Sequence, residues 1–508
     1  MKKALIVFTV VAMCILAAAC GGGQSAGPPA AKWDGAINIS LYQDPPKLDP
    51  LVSGAFVERH VFQSIFDKLA DLNEKGEIVP MLAEKWDVSP DGKKYTFYLR
   101  KNVKFHDGTD FNAEAAIFNL ERYRNDSSSL RKNELSQIAT IAAAGSHTVE
   151  ITLKSPFAPF LSILTDRSGM MASPAAIKKL GADFMNAPVG TGPFVYKERV
   201  RGATITLEKN KNYWLAGAPK AEKIVYKIIP DANVALVNLK SGQVDLSNRF
   251  PFNEAANYAN DPKVTLINLP SPGFGGIALN TVRKPFDNLL VRQAVEALID
   301  REAIVKVVLS GIGTPGRSAF SPGNLAYNSE IDKPAKPDPA KAKRLLAEAG
   351  LADGFSFTLT TDINPVAQQI IQVLQNMLKP AGINAVLEKV DFGTVLDKAA
   401  KGNFDMIYIT WSGRSDPDQN SYDRFIANGS FNYMKYDNSE MNRLLNEARR
   451  ETNDAKRKVL YDQVSLLAIE QAPYIFLYHE NNLFGTVKEL KGFMAVPDGM
   501  IRTVGLSK

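Results

Sequence analysis

The stretch Phe404 to Tyr422, FDMIYITWSGRSDPDQNSY, carries the densest set of groups able to do chemistry. An apolar run breaks there into a loop holding Trp411, Arg414, Asp416 and Asp418. A guanidinium offers a planar fork of donors that suits a carboxylate or phosphate, and an indole offers a flat wall for a small molecule. Nearby carboxylates can hold that fork or receive an amine. This is the chemistry of recognition. Bond-breaking needs a nucleophile, its base and an orienting group, and no such set assembles. The four histidines, His60, His106, His147 and His479, are scattered, and the cysteines are Cys14 and Cys20 alone. GxSxG, HExxH and P-loop patterns are absent. Gly273 to Ala278 fits GxGxxA, but Pro272 precedes it and Leu279, Asn280 and Pro285 follow, so the strand–turn–helix setting of a dinucleotide site is missing. His106-Asp107-Gly108 reads as a strand-end turn. No catalytic residue, metal or cofactor is expected.

The elements that must position the loop follow from periodicity. Phe355 to Thr360 reads as a strand, Val366 to Leu378 as a helix ended by Gly382, and Ile383 to Val390 as a strand. Val395 to Lys401 reads as a short helix and Phe404 to Thr410 as a further strand. Such alternation argues for βαβ units and a parallel sheet, whose ligands bind beyond the carboxyl ends of the strands. Trp411 to Asp418 begins where one strand ends, and Thr361 to Pro365 follows another, so the two loops are expected to share a rim. Earlier, Ala36 to Tyr42 alternates as a half-buried strand, and Val57 to Leu72 has helical spacing. Lys85 to Arg100 reads as a hairpin around Pro90-Asp91-Gly92, and Asn112 as the N-cap of a helix through Arg122. Asp338 and Pro339 open a helix that Gly350 closes, and Ile224 to Ile229 leads through Asp231 into a helix ending at Gly242.

At 508 residues the chain exceeds one ordinary core, so two or three domains are expected. Hydrophobic content of 45% and charged content of 22% describe a folded protein. Net charge is +6 with the basic residues spread out, which argues against nucleic acid. Lys2 and Lys3 precede an apolar stretch from Ala4 to Ala19 that falls short of the roughly 20 residues of a membrane span. A basic start, a short apolar region and small residues before a cut site read as a secretory signal over residues 1–19. Ala17, Ala18 and Ala19 before Cys20 resemble a bacterial lipobox, with Leu16 one place further out than is usual. Cys20 would then carry lipid, residues 20–34 would form the tether, and loss of the leader would take the charge to +4. Ordinary secretion with Cys20 a plain thiol is the alternative. With Cys14 removed, no disulfide can form, and stability must come from core burial.

The segment Leu82 to Arg122, LAEKWDVSPDGKKYTFYLRKNVKFHDGTDFNAEAAIFNLER, resembles the signature of family 5 of the bacterial extracellular solute-binding proteins. PVGTGPFVY (188–196), NYW (212–214), PFDNLLVRQAVEALIDREAIV (285–305) and NEARRETNDAKRKVLYDQV (446–464) match in order, so the likeness spans nearly the whole chain after the leader. Ala115-Ala116 departs from the family's acidic and aliphatic pair. The resemblance implies an α/β fold of periplasmic-binding-protein type (class II, cluster C), with two lobes and an extra third domain. The expected boundaries are 35–50, 190–272 and 483–508 for domain I, 51–189 for domain II and 273–482 for domain III. It implies the receptor of an ABC importer, monomeric, outside the cytoplasm, serving a permease and ATPase and held to the membrane by lipid. The solute expected is a short peptide or amino-acid derivative with a carboxylate. A nickel-chelate or haem receptor is the alternative within the family, and an anchored hydrolase the alternative outside it.

In peptide-binding relatives an aspartate stands three residues after the tryptophan matched by Trp411 and takes the peptide's amine. Here that place holds Arg414, a donor for an acceptor. Arg414 is expected to face the ligand, or else to turn to solvent or pair with Asp416 or Asp418. Asp416 is expected to brace Arg414 or to supply the missing amine partner. Ser53, Phe56 and Arg167 stand where relatives contribute contacts, and Asp362 lies on the neighbouring rim; each also has a structural reading, as does Trp411 in a core.

Overall fold

The computed structural model describes residues 33–508. The expected leader and Cys20 lie outside the described residues. The largest sheet has eleven strands. From one edge run Ile383–Val390, Phe355–Asp362, Met406–Trp411, Val264–Leu279 and Tyr474–Val487. The sheet continues through Leu246–Ser247, Ala36–Leu41, Lys223–Ile228, Thr204–Lys209 and Phe194–Val200, with Thr314–Pro315 paired onto Tyr474–Val487.

The first three strands are mutually parallel, as the βαβ pattern requires, crossing over through helices Pro365–Leu378 and Phe392–Lys401. Asn364 and Asp391 cap those helices through their side chains. Ala36–Leu41 is parallel to both neighbours, while Val264–Leu279 is antiparallel to both of its own, so the sheet is mixed. Val264–Leu279 and Tyr474–Val487 form one long ribbon whose register breaks between Pro270 and Phe274. The GxGxxA stretch lies inside this strand, where a Cβ on Gly275 or Gly276 would meet the ring of Tyr478 or Tyr474 at 2.4 Å. Those glycines serve close packing of aromatic rings on the strand.

A separate antiparallel sheet of four strands, Ala83–Val88, Lys94–Leu99, Thr148–Leu153 and Ile138–Gly145, packs on helix Ala113–Asn125. The hairpin turns at Gly92 with φ of 66°, and Asn112 accepts from the Ala115 amide as the N-cap. Phe97 and Leu99 are buried and Trp86 packs at their side. Arg100, at the end of the hairpin, donates to the Met81 carbonyl and lies 4.5 Å over Trp214.

The helix expected from Val57 to Leu72 stops early. It spans Phe56–Ile65, and Ala70–Leu72 is a strand. Backbone groups of Asp67, Lys68 and Leu69 bond to Met171, Leu82, Ala83 and Gly169 instead of to a further helical turn. Asp67 also takes bonds from Trp214 Nε1 at 2.8 Å and Tyr213 hydroxyl at 3.0 Å. Tertiary pairing overrides the helical spacing there.

Candidate functional site

A cavity of about 490 Å³ opens where the strand ends converge, within the range of small-molecule sites. Asp362 ends one parallel strand and Asn364 follows it, while Trp411 ends another and Ser412 and Arg414 follow it, so the two rim loops do meet. Tyr42 and Gln43 join them from the end of Ala36–Leu41, and Phe56 from the start of its helix.

The Trp411 loop is built rigidly. Asn420 clamps it, accepting from the Arg414 amide at 2.7 Å and donating to the Arg414 carbonyl at 2.8 Å. The same Asn420 oxygen accepts from Trp411 Nε1 at 3.3 Å. Gly413 has φ of 65°, and a Cβ there would lie 2.1 Å from the Pro272 backbone, so only glycine fits.

Arg414 is 7% exposed and lines the cavity, yet its bonds go mostly to protein. Nε donates to Asp166 at 2.6 Å, and Nη1 to the Gly413 carbonyl at 2.7 Å and Ser412 hydroxyl at 3.0 Å. Asp166 also accepts from Arg59 Nε at 3.0 Å, with Arg167 Nε at 3.9 Å. Burial alone would raise the Asp166 pKa, but the surrounding guanidiniums of Arg59, Arg414 and Arg167 hold it well below the usual carboxylate range. Burial, with Arg59 beside it, pushes Arg414 down to about 10.

Neither acid of the loop braces Arg414. Asp416 is held in a fork by Arg457 at 2.7 and 2.8 Å, and Asp418 by Arg449 at 2.8 and 3.0 Å. Asp416 does not line the cavity, so it neither holds Arg414 nor stands ready for an amine. Two later helices, Ser439–Arg450 and Asp454–Gln471, supply those arginines and so take up both carboxylates.

Arg167 and Ser53 are brought together, but behind the cavity wall. Arg167 is 1% exposed and its Nη1 donates to the Ser53 carbonyl at 2.9 Å and hydroxyl at 3.0 Å. The Ser53 hydroxyl donates in turn to Glu58 at 2.5 Å. These contacts set the wall that presents Gly54 and Phe56. Asp362 does line the cavity and accepts from Gln43 Nε2 at 2.9 Å; burial raises its pKa.

Sequence reasoning missed Arg249, Glu480 and Arg424, all in the cavity wall. Glu480 interrupts an apolar strand, YIFLYHENNLFGTV, and that interruption is a readable signal. Burial raises its pKa against the pull of Arg249. Arg249 lies 4.7 Å over the Tyr42 ring. Arg424 sits on helix Asp418–Phe425 beside Asp423, a pattern that reads as surface charge. It is 2% exposed.

The family profile of bacterial extracellular solute-binding proteins, family 5 (middle region), matches residues 77–433. The chain belongs to that family. The glutathione-binding protein GsiB of Pectobacterium atrosepticum is 32% identical over 505 residues, covering 97% of each chain. Among solved structures, the Helicobacter pylori periplasmic binding protein DppA in complex with the peptide STSA is similar at a TM-score of 0.86 and 27% identity, over 93% of this chain and 98% of that one. AgaA of A. tumefaciens R10, in complex with agropinic acid, is similar at 0.86 and 29%, with the same coverage. The fold is that of the family 5 periplasmic binding proteins. Members bind peptides or small solutes and work with an ABC permease and ATPase, so this chain is a solute-binding receptor and not an enzyme. Among the described residues no group of three or more His, Cys, Asp or Glu is arranged to hold a metal, and no helix is long and apolar enough to cross a membrane.

Proposed function

We propose that this protein captures a short peptide or peptide-like amino-acid derivative with a free carboxylate and delivers it to its permease. The observation that carries this reading is a cavity lined by the guanidiniums of Arg414, on the Trp411 loop, and Arg424, on the helix after it, and by the carboxylates Asp362 and Glu480. A zwitterion offers partners to both signs at once, whereas a neutral sugar leaves Arg424 without a counter-charge in a buried setting. The volume suits a few residues of peptide. Identity to glutathione-binding relatives supports a solute of tripeptide size. The receptor acts as a monomeric clamp divided as 35–50, 190–272 and 483–508, 51–189, and 273–482, tethered outside the cytoplasm through lipidated Cys20.

Thermal-shift and calorimetric titration with glutathione, tripeptides, agropinic acid, nickel–histidine and neutral disaccharides tests it. The acids are expected to raise the melting temperature, because a ligand that binds only the folded state stabilises it. Native mass spectrometry of gently purified protein carrying only neutral sugars would overturn the ligand class, and binding of nickel–histidine alone would move it to metal chelates. Globomycin-sensitive processing and labelling by a palmitate analogue test the anchor at Cys20.

A further inference from the structure

Three arginines line the cavity, and they differ in what already occupies them. Arg414 is committed to Asp166. Arg249 faces the charge of Glu480, its strongest electrostatic partner. Arg424 has no carboxylate: among the described residues none forms a salt bridge with it, and its Nε and Nη1 are buried without a hydrogen-bond partner. Its surroundings are rings. The guanidinium carbon lies 4.7 Å from the centre of Tyr474, 4.8 Å from Trp411 and 5.1 Å from Phe274. Aromatic faces partly offset a buried cation, but they accept no N–H in the plane of the fork. A permanent charge with buried, unmet donors is costly in a folded protein unless something brings it an anion. Arg424 is part of the cavity lining, so the anion can come from the cavity.

We propose that Arg424, framed by Phe274, Trp411 and Tyr474, is the anchor for the solute's carboxylate, and that Arg414 supports the same wall without receiving it. The inference rests on the reading of the cavity as a site for acidic, peptide-like solutes and names the group that recognises the acid. A carboxylate fits because it is planar, as the guanidinium is, and can pair with the guanidinium edge where Arg424 meets the cavity wall, between flanking rings. Lysine at this place would keep the charge but lose the fork. Burial lowers the Arg424 pKa, in keeping with a cation that lacks a counter-charge.

The test uses the full chain after its leader and titrates glutathione, its two analogues in which one carboxyl is a carboxamide, trialanine and trialanine amide. One amidation of glutathione, and the amidation of trialanine, are expected to weaken binding to wild type by roughly 10- to 100-fold, the value of a desolvated charged hydrogen bond. Arg424→Gln is expected to lose the same factor for the acid and to bind acid and amide alike. Arg424→Lys should fall between. Such loss of discrimination distinguishes recognition from a fold defect, which would weaken acid and amide together. Wild type that binds acid and amide equally overturns the anchor and leaves the receptor reading standing, and this arm needs no variant. An Arg424→Gln protein that keeps the full acid preference does the same. Wild type that binds none of the acids overturns both.

Discussion

Arg414 and Arg424 stand over the same indole, 5.2 and 4.8 Å from the Trp411 ring, and both line one cavity. Their difference is in what they have been given. Arg414 has a carboxylate at 2.6 Å, a carbonyl and a hydroxyl. Arg424 has rings and unmet donors. A carboxylate partner separates the guanidinium that holds the wall from the one proposed to receive the solute, and position in the cavity alone does not.

The comparison breaks most forcefully at Asp166. Asp166→Asn leaves Arg59, Arg414 and Arg167 without their shared carboxylate and is expected to cost about 3–5 kcal/mol of stability, read as a lower urea midpoint. A midpoint at the wild-type value would show that the cluster does not hold the loop. Arg424→Met is expected to move two quantities in opposite directions. Carboxylate affinity falls by about 1.5–3 kcal/mol, while the ligand-free protein melts at the same temperature or higher because a buried charge without a partner is gone. Lower melting together with unchanged affinity would make Arg424 a packing residue. Arg414→Met is expected to cost about 1–2 kcal/mol of stability, since Asp166 keeps Arg59, and to leave the preference for acid over amide unchanged. A lost preference would return Arg414 to the role suggested by its place in the sequence.

The smallest effect is with pH. Burial raises the carboxyl pKa of both Asp362 and Glu480. For an acid whose folded pKa lies above its unfolded one, the folded state holds the proton longer, so ligand-free stability falls as pH rises from about 4 through the raised value. Binding of an ammonium requires the charged carboxylates, so affinity for an amine-bearing solute falls as pH drops through the same window. Calorimetry at about pH 5 and pH 7.5 with trialanine and its N-acetyl form checks this. Equal pH dependence for the two forms would remove these acids from amine recognition.

The three parallel strands at one edge of the large sheet were legible from periodicity, punctuated by Asp338, Pro339, Gly350 and Gly382, because those residues act on their own backbone. The placement of Trp411 and Asp362 on one rim followed from that. The partners of the loop charges were not legible. Asp166 lies 248 residues from Arg414, and the arginines that take Asp416 and Asp418 come from later helices. Opposite charges close in sequence invited a local pairing that tertiary packing overrode. The helix drawn through Leu72 failed for the same reason, its last turn being claimed by strands and loops elsewhere. Arg424 was hidden because Asp423 beside it imitates a solvated pair, while Asp423 in fact accepts from Asn133 at 2.6 Å.

The ribbon of Val264–Leu279 and Tyr474–Val487 has a mechanical consequence for the proposed clamp. Its expected boundaries at 272/273 and 482/483 both fall inside these two strands, next to the register break between Pro270 and Phe274. A clamp so divided would have its lobes joined through this two-stranded ribbon, with the register break at the boundary, so that closing would twist the ribbon and leave the pairing on either side intact. In such a clamp a solute held at Arg424 would favour closure only by the contacts it gains from the opposite lobe, because Arg424, Phe274, Trp411 and Tyr474 all belong to 273–482.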